Sequence, residues 1–522
     1  MKMIKNIALA LVTVAFLGGC QKQMNLSPKY GLNADAVYAD AANYENVLAK
    51  LYAGLAISGN QGPAGMPDIG GIDEGFSQYV RVLWNLQELP TDEAICGWND
   101  PGIPELNTTT WNDNSSFVSA MYYRIYYQIA LANEFIRYCN PEWTDLQSFT
   151  DAELASIEGM KAEARFLRAL SYYHAMDLFG SVPFVDEGDR AGVFYPEQIS
   201  RSDLYDYVVG ELVAIEMDLP GIGNAVYGRA DRGALLALRS KVYLNAEVYS
   251  GSAAYDLAMA DAEAIITSGA YSLEPVYAHN FLADNHTSNE FIFSVAFDGQ
   301  HTQTWGRTTF LVHSHVGGSM DPDDFGINGG WQGNRATLNW LALFDGTTND
   351  SRLITHTGGR TDTIHDIGDF TQGIAVTKWK NVDRDTVAGS DPNNFPDTDF
   401  PMFRLADFYL VYAECALRLQ TNTTTALTYY NTVRQRAFGD NSGNATSITL
   451  QDIIDERGRE LYTEGKRRSD LVRFGMFSGG NYLWQWKGEA LMGTSTDGVY
   501  DLYPIPAADI NANSNLVQNP GY

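Results

Sequence analysis

The sequence predicts a mainly α-helical domain in which paired helices support an irregular, loop-rich half. Apolar residues step by three and four between about 116 and 270, and again between about 403 and 475. Between 270 and 400 the composition changes to Gly, Thr, Asn and Asp with isolated aromatics, and one good strand stands out in EFIFSVAF, residues 290–297. With 522 residues, 45% of them hydrophobic and 19% charged, the chain has the length and apolar content for a large core.

At the N-terminus, Lys2 and Lys5 precede an apolar run from Ile7 to Phe16, and Leu17-Gly18-Gly19-Cys20 follows. The run is too short for a helix crossing a hydrocarbon core of ~30 Å, so residues 1–19 read as a secretory signal. Small residues before a Cys fit a lipoprotein signal, with Cys20 as the lipidated first residue of the mature chain. An ordinary signal-peptidase site beside an incidental Cys is the alternative. Residues 20–42 are then expected to be the lipidated N-terminus and a tether, and 43–522 a single domain.

A short helix is expected from Tyr44 to Ala56, followed by a Gly- and Pro-rich loop over 58–75. Thr150 and Glu153 form a capping box that opens a long helix ending at Gly180. Another helix is expected from about Ser202 to Pro220. Helices 230–249 and 253–268 are joined by so short a turn that they must lie antiparallel, and their Ala residues allow close approach. Pairs at 116–138 with 151–179, and at 403–419 with 424–437, repeat the pattern. This is tetratricopeptide-like packing with an eroded signature. After 449 the chain returns to helix, and it closes as loop and turn.

Charge narrows the function. The chain carries 35 Lys and Arg against 64 Asp and Glu, a formal net charge of −29, spread along its length. Nucleic acid and anionic lipid need concentrated positive charge, so neither is an expected partner by charge, and a neutral ligand fits better. Cys96, Cys139 and Cys415 show no metal-ligand spacing and read as buried thiols, with one possible disulfide that the spacing does not assign.

Convincing catalytic machinery is missing from the sequence. Glu456, Glu460 and Glu464 sit at helical spacing but are interleaved with Arg457, Arg459, Lys466, Arg467 and Arg468. Carboxylates among guanidinium groups stay ionised, which suits structural ion pairing and not a general acid. His313 and His315 form H-x-H, which on a strand would project both rings to one face, but no further ligand completes a zinc set. There is no G-x-S-x-G elbow, no P-loop and no strand-linked G-x-G-x-x-G.

Three tryptophans instead stand in loops beside glycine: Trp98 in CGWND, Trp305 in TQTWGRT and Trp331 in NGGWQGNR. Glycine beside an indole leaves a ring face open, and a pyranose ring packs its C–H face flat on an indole. Sugar hydroxyls need polar partners, and Asn99 and Asp100, Gln303 and Arg307, Gln332 and Asn334 flank the three rings. Ordinary anchoring of each loop to the core is the competing reading.

EARFLRALSYYHAMDLFGSVPF, YTEGKRRSDLVRFGMF and the closing YPIPAADINANSNLVQNPGY, together with the signal ending at Cys20, resemble the SusD/RagB family of Bacteroidetes surface lipoproteins. DEGFSQYVR, ELPTDEAICGW, YGRADRGA and FPDTDFPMFRLAD look like its starch-binding member rather than merely the family. The resemblance covers nearly the whole mature chain. It implies a SusD-like fold, with tetratricopeptide-like pairs at about 116–270 and 403–475 and a binding region at about 58–112 and 270–400. It also implies a non-enzymatic lipoprotein on the outer-membrane surface that binds starch or a related α-glucan and delivers oligosaccharides to a TonB-dependent SusC-like transporter. Local alignment carries the family's aromatic arc onto Trp98, Trp305 and Trp331, and its polar contacts onto Asp73, Arg81 and Asn99.

Two departures from that pattern stand out. The chain is shorter between Asn334 and Thr377, and a family calcium site is poorly matched around Asp284, His286 and Asp397, so neither a metal ion nor a cofactor is expected. A SusD-like protein for a different glycan, or a peptide-binding or structural RagB-type subunit, are the alternatives.

Overall fold

The computed structural model describes residues 33–522 except 64, 190, 191, 193 and 345–348. Cys20 lies outside the described residues. Folding begins earlier than Tyr44, because a short helix Ala34–Tyr38 stands where a tether was expected. It is docked by Tyr38, which is buried and stacks on Tyr138 with ring centroids 4.1 Å apart and planes 9° apart.

The next helix, Ala42–Ala56, lies across the antiparallel pair Ser116–Tyr138 and Asp151–Phe179. The capping box forms as the sequence suggests. Glu153 N–H donates to Thr150 Oγ1 at 3.3 Å, and the Glu153 carboxylate accepts from Thr150 N–H at 2.7 Å. Gly180, at φ 75°, ends the helix. The Arg201–Ile215 helix packs on it, followed by the pair Arg232–Leu244 and Tyr255–Thr267.

Tyr255–Thr267 fits between Arg232–Leu244 and Leu405–Leu419, where Ala258 and Ala262 are fully buried and let the axes approach. Leu405–Leu419 in turn packs on Thr423–Phe438 and Leu450–Glu460. The expected strand is Phe291–Val295, and it pairs antiparallel with Phe400–Arg404 through a register shift. No helix among the described residues is long and apolar enough to cross a membrane.

The loop-rich regions hold two further helices, Tyr79–Glu88 and Arg307–Ser314. Arg307–Ser314 is buried along its whole length, and Tyr79–Glu88 along all of it but Arg81. In Tyr79–Glu88 the polar residues Arg81, Asn85 and Glu88 do recur at helical spacing, but Asn85 and Glu88 are buried with the apolar ones, and Arg307–Ser314 is too short to show a clear period. The region after 449 is also two helices, Leu450–Glu460 and Arg467–Arg473, separated by a turn in which Thr463 and Gly465 take φ 59° and 72°.

That turn exists to place Glu464. Arg404 donates to Glu464 at 2.8 Å and to Glu460 at 2.6 Å, and Lys378 Nζ lies 2.7 Å from Glu464. Arg352 bridges Glu456 at 2.7 Å and Glu460 at 3.0 Å, and every one of these side chains is fully buried. The three glutamates are thus structural ion-pair members that clamp the loop-rich half, through Arg352 and Lys378, to the helices. Against the upward push of burial, Arg404 and Lys378 hold Glu464 down to about 2. A lowered carboxylate pKa contributes stability above its unfolded value, and that contribution is lost as pH falls through the folded one. Glu464→Gln should therefore lower stability at pH 7 by about 3–5 kcal/mol, because it leaves buried Lys378 without its carboxylate partner and takes one of three carboxylates from Arg404. Denaturation midpoints measured between pH 7 and pH 2 should show the deficit shrinking below about pH 4.5.

Candidate binding surface

Trp98 and Trp331 lie 233 residues apart and meet because two very short strands pair. Ile95–Cys96 runs antiparallel to Asn334–Arg335, with Ile95 opposite Arg335 and Cys96 opposite Asn334. Gly97 N–H extends the ladder to Gly333 O at 2.9 Å, and Trp98 Nε1 donates to Trp331 O at 3.0 Å. Asn107 steadies the first strand by bonding both N–H and C=O of Cys96, at 3.0 and 2.8 Å. Arg335, buried, spans the carbonyls of Gly333, Ile367 and Gln372 at 2.7–2.9 Å. Burial pulls its pKa down to about 10, which leaves it charged at neutral pH. Cys96, Cys139 and Cys415 are free, buried thiols.

The three indoles form a contiguous row with Trp331 in contact with both others. Trp98 and Trp331 have centroids 6.2 Å apart and planes tilted 48°, and Trp305 and Trp331 are 6.0 Å apart and tilted 58°. All three are half-buried, and Trp98 and Trp331 pack in part on the core. Trp98 rests edge-on against buried Phe310, centroid 5.9 Å away, and Trp305 packs on Phe395 at 4.9 Å. Trp331 lies nearly flat on His313, centroids 4.6 Å apart and planes 19° apart.

The glycines do not work as the sequence suggested. A side chain at Gly97 would start 2.9 Å from the Arg335 guanidinium and from Ile367 O, and one at Gly306 would start 2.2 Å from Gln78 Cβ. These glycines admit neighbouring segments rather than bare the indoles. Gly333 is the one that faces Trp98, since a Cβ there would lie 2.7 Å from two indole carbons.

Among the polar candidates, Asp73 and Asn99 are exposed, as are Asp100 and Gln332. Asp73 Oδ1 accepts from Phe76 N–H at 3.0 Å, which shapes the turn ahead of Arg81. Arg81 is half-buried: its Nη1 donates to Gly75 O at 3.1 Å and to Trp305 O at 3.0 Å. Its guanidinium also lies 4.5 Å over Phe310 and 5.8 Å from the Trp98 centroid. Arg81 thereby ties the Asp73 turn to Trp305, while burial pulls its pKa down to about 10. Arg307 and Asn334 are buried and bonded inward, to Thr302 and Ser314, so they do not flank the rings. Gln303 donates to Gly299 O.

His313 and His315 lie at the end of a helix and not on a strand, so their rings do not share a face. His313 Nδ1 and Nε2 are 2.7 and 2.8 Å from Gly329 O and Asn394 O, and His315 Nδ1 is 2.6 Å from Leu311 O. Asp284 pairs with Arg384 at 2.6 Å, and Asp397 accepts from Gly299 N–H and from Ser390 at 2.6–2.7 Å. Among the described residues no group of three His, Cys, Asp or Glu side chains could hold a metal ion.

Comparison with known proteins places the chain. A family model described as the SusD family matches residues 357–522. The starch-binding protein SusD of Bacteroides thetaiotaomicron is 34% identical, over 100% of this chain and 99% of its own length. A SusD superfamily protein from B. thetaiotaomicron superposes with a TM-score of 0.72 at 19% identity, covering 92% of this chain and 99% of its own. Surface glycan-binding protein A from B. thetaiotaomicron, solved in complex with laminarihexaose, gives 0.68 at 20% identity, over 92% and 99%. Identity of this extent along the entire chain shows that the protein belongs to the SusD family.

Proposed function

We propose that this protein is a non-catalytic glycan-binding lipoprotein of the outer-membrane surface, anchored through Cys20, that binds starch-like α-glucan on Trp98, Trp331 and Trp305. The observation that carries the reading is the row of three touching, half-buried indoles whose planes turn by 48° and 58° from one to the next. An extended, flat glycan lies flat on one such ring only, whereas a helically curved α-1,4-glucan turns successive residues and presents a C–H face to each. Asp73 and Asn99 stand exposed as hydroxyl partners, and Arg81 holds the Asp73 turn against Trp305. Kinship to a protein named for starch binding supports the ligand class. Delivery of bound oligosaccharide to a SusC-like TonB-dependent transporter completes the proposal, in line with the family.

Each indole contact contributes on the order of 1 kcal/mol beyond area burial. Trp98→Ala also removes the hydrogen bond to Trp331 O, and Trp331→Ala removes the central ring. Calorimetry with maltoheptaose or cyclodextrin should show at least tenfold weaker binding for either variant with the circular dichroism spectrum unchanged; unaltered affinity in both would sink the platform. Laminarihexaose in the same titration distinguishes a β-glucan specificity. Gly333→Ala drives a methyl group into the Trp98 indole, so it should weaken maltoheptaose several-fold at a stability cost of about 1–3 kcal/mol. Incubation with amylopectin should release no reducing ends.

A further inference from the structure

We propose that His313 is the positioning residue of this surface, acting as an imidazolium that supports Trp331 from beneath, and that glycan affinity therefore rises as this ring is protonated. The proposal rests on the reading of the three indoles as a glycan platform.

The Arg307–Ser314 helix places Phe310 under Trp98 and, one turn on, His313 under Trp331. Both ring nitrogens of His313 point at main-chain carbonyls, Nδ1 at Gly329 O (2.7 Å) and Nε2 at Asn394 O (2.8 Å). A carbonyl oxygen only accepts, and a neutral imidazole carries a single N–H. Both contacts are hydrogen bonds only when the ring holds two protons. Each bond fixes a different indole. Gly329 stands two residues before Trp331, whose own N–H donates to His313 O at 2.7 Å. Asn394 stands next to Phe395, the ring on which Trp305 packs. An imidazolium lying flat beneath an indole also gains cation–π attraction.

The charged groups around the ring leave this role to it alone. The 328–332 segment has no ionisable side chain. On the 390–397 loop, Asp391 lends its field to His313, and Asp397 is engaged with Gly299 and Ser390. On the same helix, Arg307 turns to Thr302, and His315 bonds Leu311 O, with burial pulling its pKa down to about 4. On the Tyr79–Glu88 helix, Arg81 serves Gly75 and Trp305, and Glu88 accepts from Lys466 N–H. Burial draws the His313 pKa below the ordinary imidazole value, against the upward pull of the two carbonyls and Asp391. The complete clamp therefore forms on the acid side of this lowered pKa. As pH rises through this lowered pKa, one proton leaves and either the Gly329 or the Asn394 carbonyl is released.

Maltoheptaose calorimetry from pH 5 to pH 8 on the parent chain, His313→Phe and His313→Gln tests this, together with ring-nitrogen NMR of the unliganded parent. The parent should bind at least threefold tighter at pH 5 than at pH 8. Both variants should lose that slope, since neither side chain titrates: Phe keeps the stacking without donors, and Gln donates from a single neutral nitrogen. The NMR spectrum at pH 5 should show protons on both His313 nitrogens. A flat parent profile, an undiminished slope in His313→Phe, or a neutral tautomer at pH 5 overturns the proposal. Absence of maltoheptaose binding by the parent at every pH overturns the glycan reading instead, and the NMR spectrum still decides the protonation of His313, even where a variant does not fold.

Discussion

The binding surface depends on one piece of backbone pairing, residues 95–97 against 333–335. Two facing residue pairs, the Gly97–Gly333 bond and the Trp98 indole bond to Trp331 O join the two separate stretches of the loop-rich half. Such a short ladder has little stability of its own. It persists because buried side chains hold it from both sides: Asn107 bonds both amide groups of Cys96, and Arg335 gathers the carbonyls of Gly333, Ile367 and Gln372. Without it, Trp98 and Trp331 would be unrelated loop residues.

A second layer of order lies deeper. Arg352, Lys378 and Arg404 meet Glu456, Glu460 and Glu464 in a fully buried ion network where the loop-rich half joins the helices. Ion pairs in such a place are costly to break and exacting in geometry, so they define one way of docking the two halves. The helical half thus serves as a rigid base. Within the loop-rich half the indoles rest on Phe310, Phe395 and His313, all of them buried. Rigidity of this kind suits recognition by shape, because a preformed set of tilted rings loses little entropy on binding.

Much of the fold was legible in the sequence wherever an element carried its own signal. The Asp151–Phe179 helix announced itself by a capping box, an apolar face and a terminal glycine, and the ionised character of Glu456, Glu460 and Glu464 followed from the arginines between them. The three tryptophans stood out because large rings in Gly-rich turns need a reason. The reason assigned to the glycines was wrong at Gly97 and Gly306, whose missing side chains make room for Arg335 and Gln78. The supports under the rings were invisible for a physical cause. Arg307–Ser314 is one short helix buried on every side, so it shows no clear amphipathic period, and the H-x-H at its C-terminal end was weighed as a strand motif. Nor does a two-residue strand carry any pattern that could point to its partner more than two hundred residues away.

The central claim is that three tilted indoles form one ligand surface. A crystal structure of the protein with bound maltoheptaose tests it most directly. The account predicts successive glucose rings lying on Trp98, Trp331 and Trp305, with hydroxyls reaching Asp73 and Asn99. An oligosaccharide bound elsewhere, or touching a single indole, would contradict it.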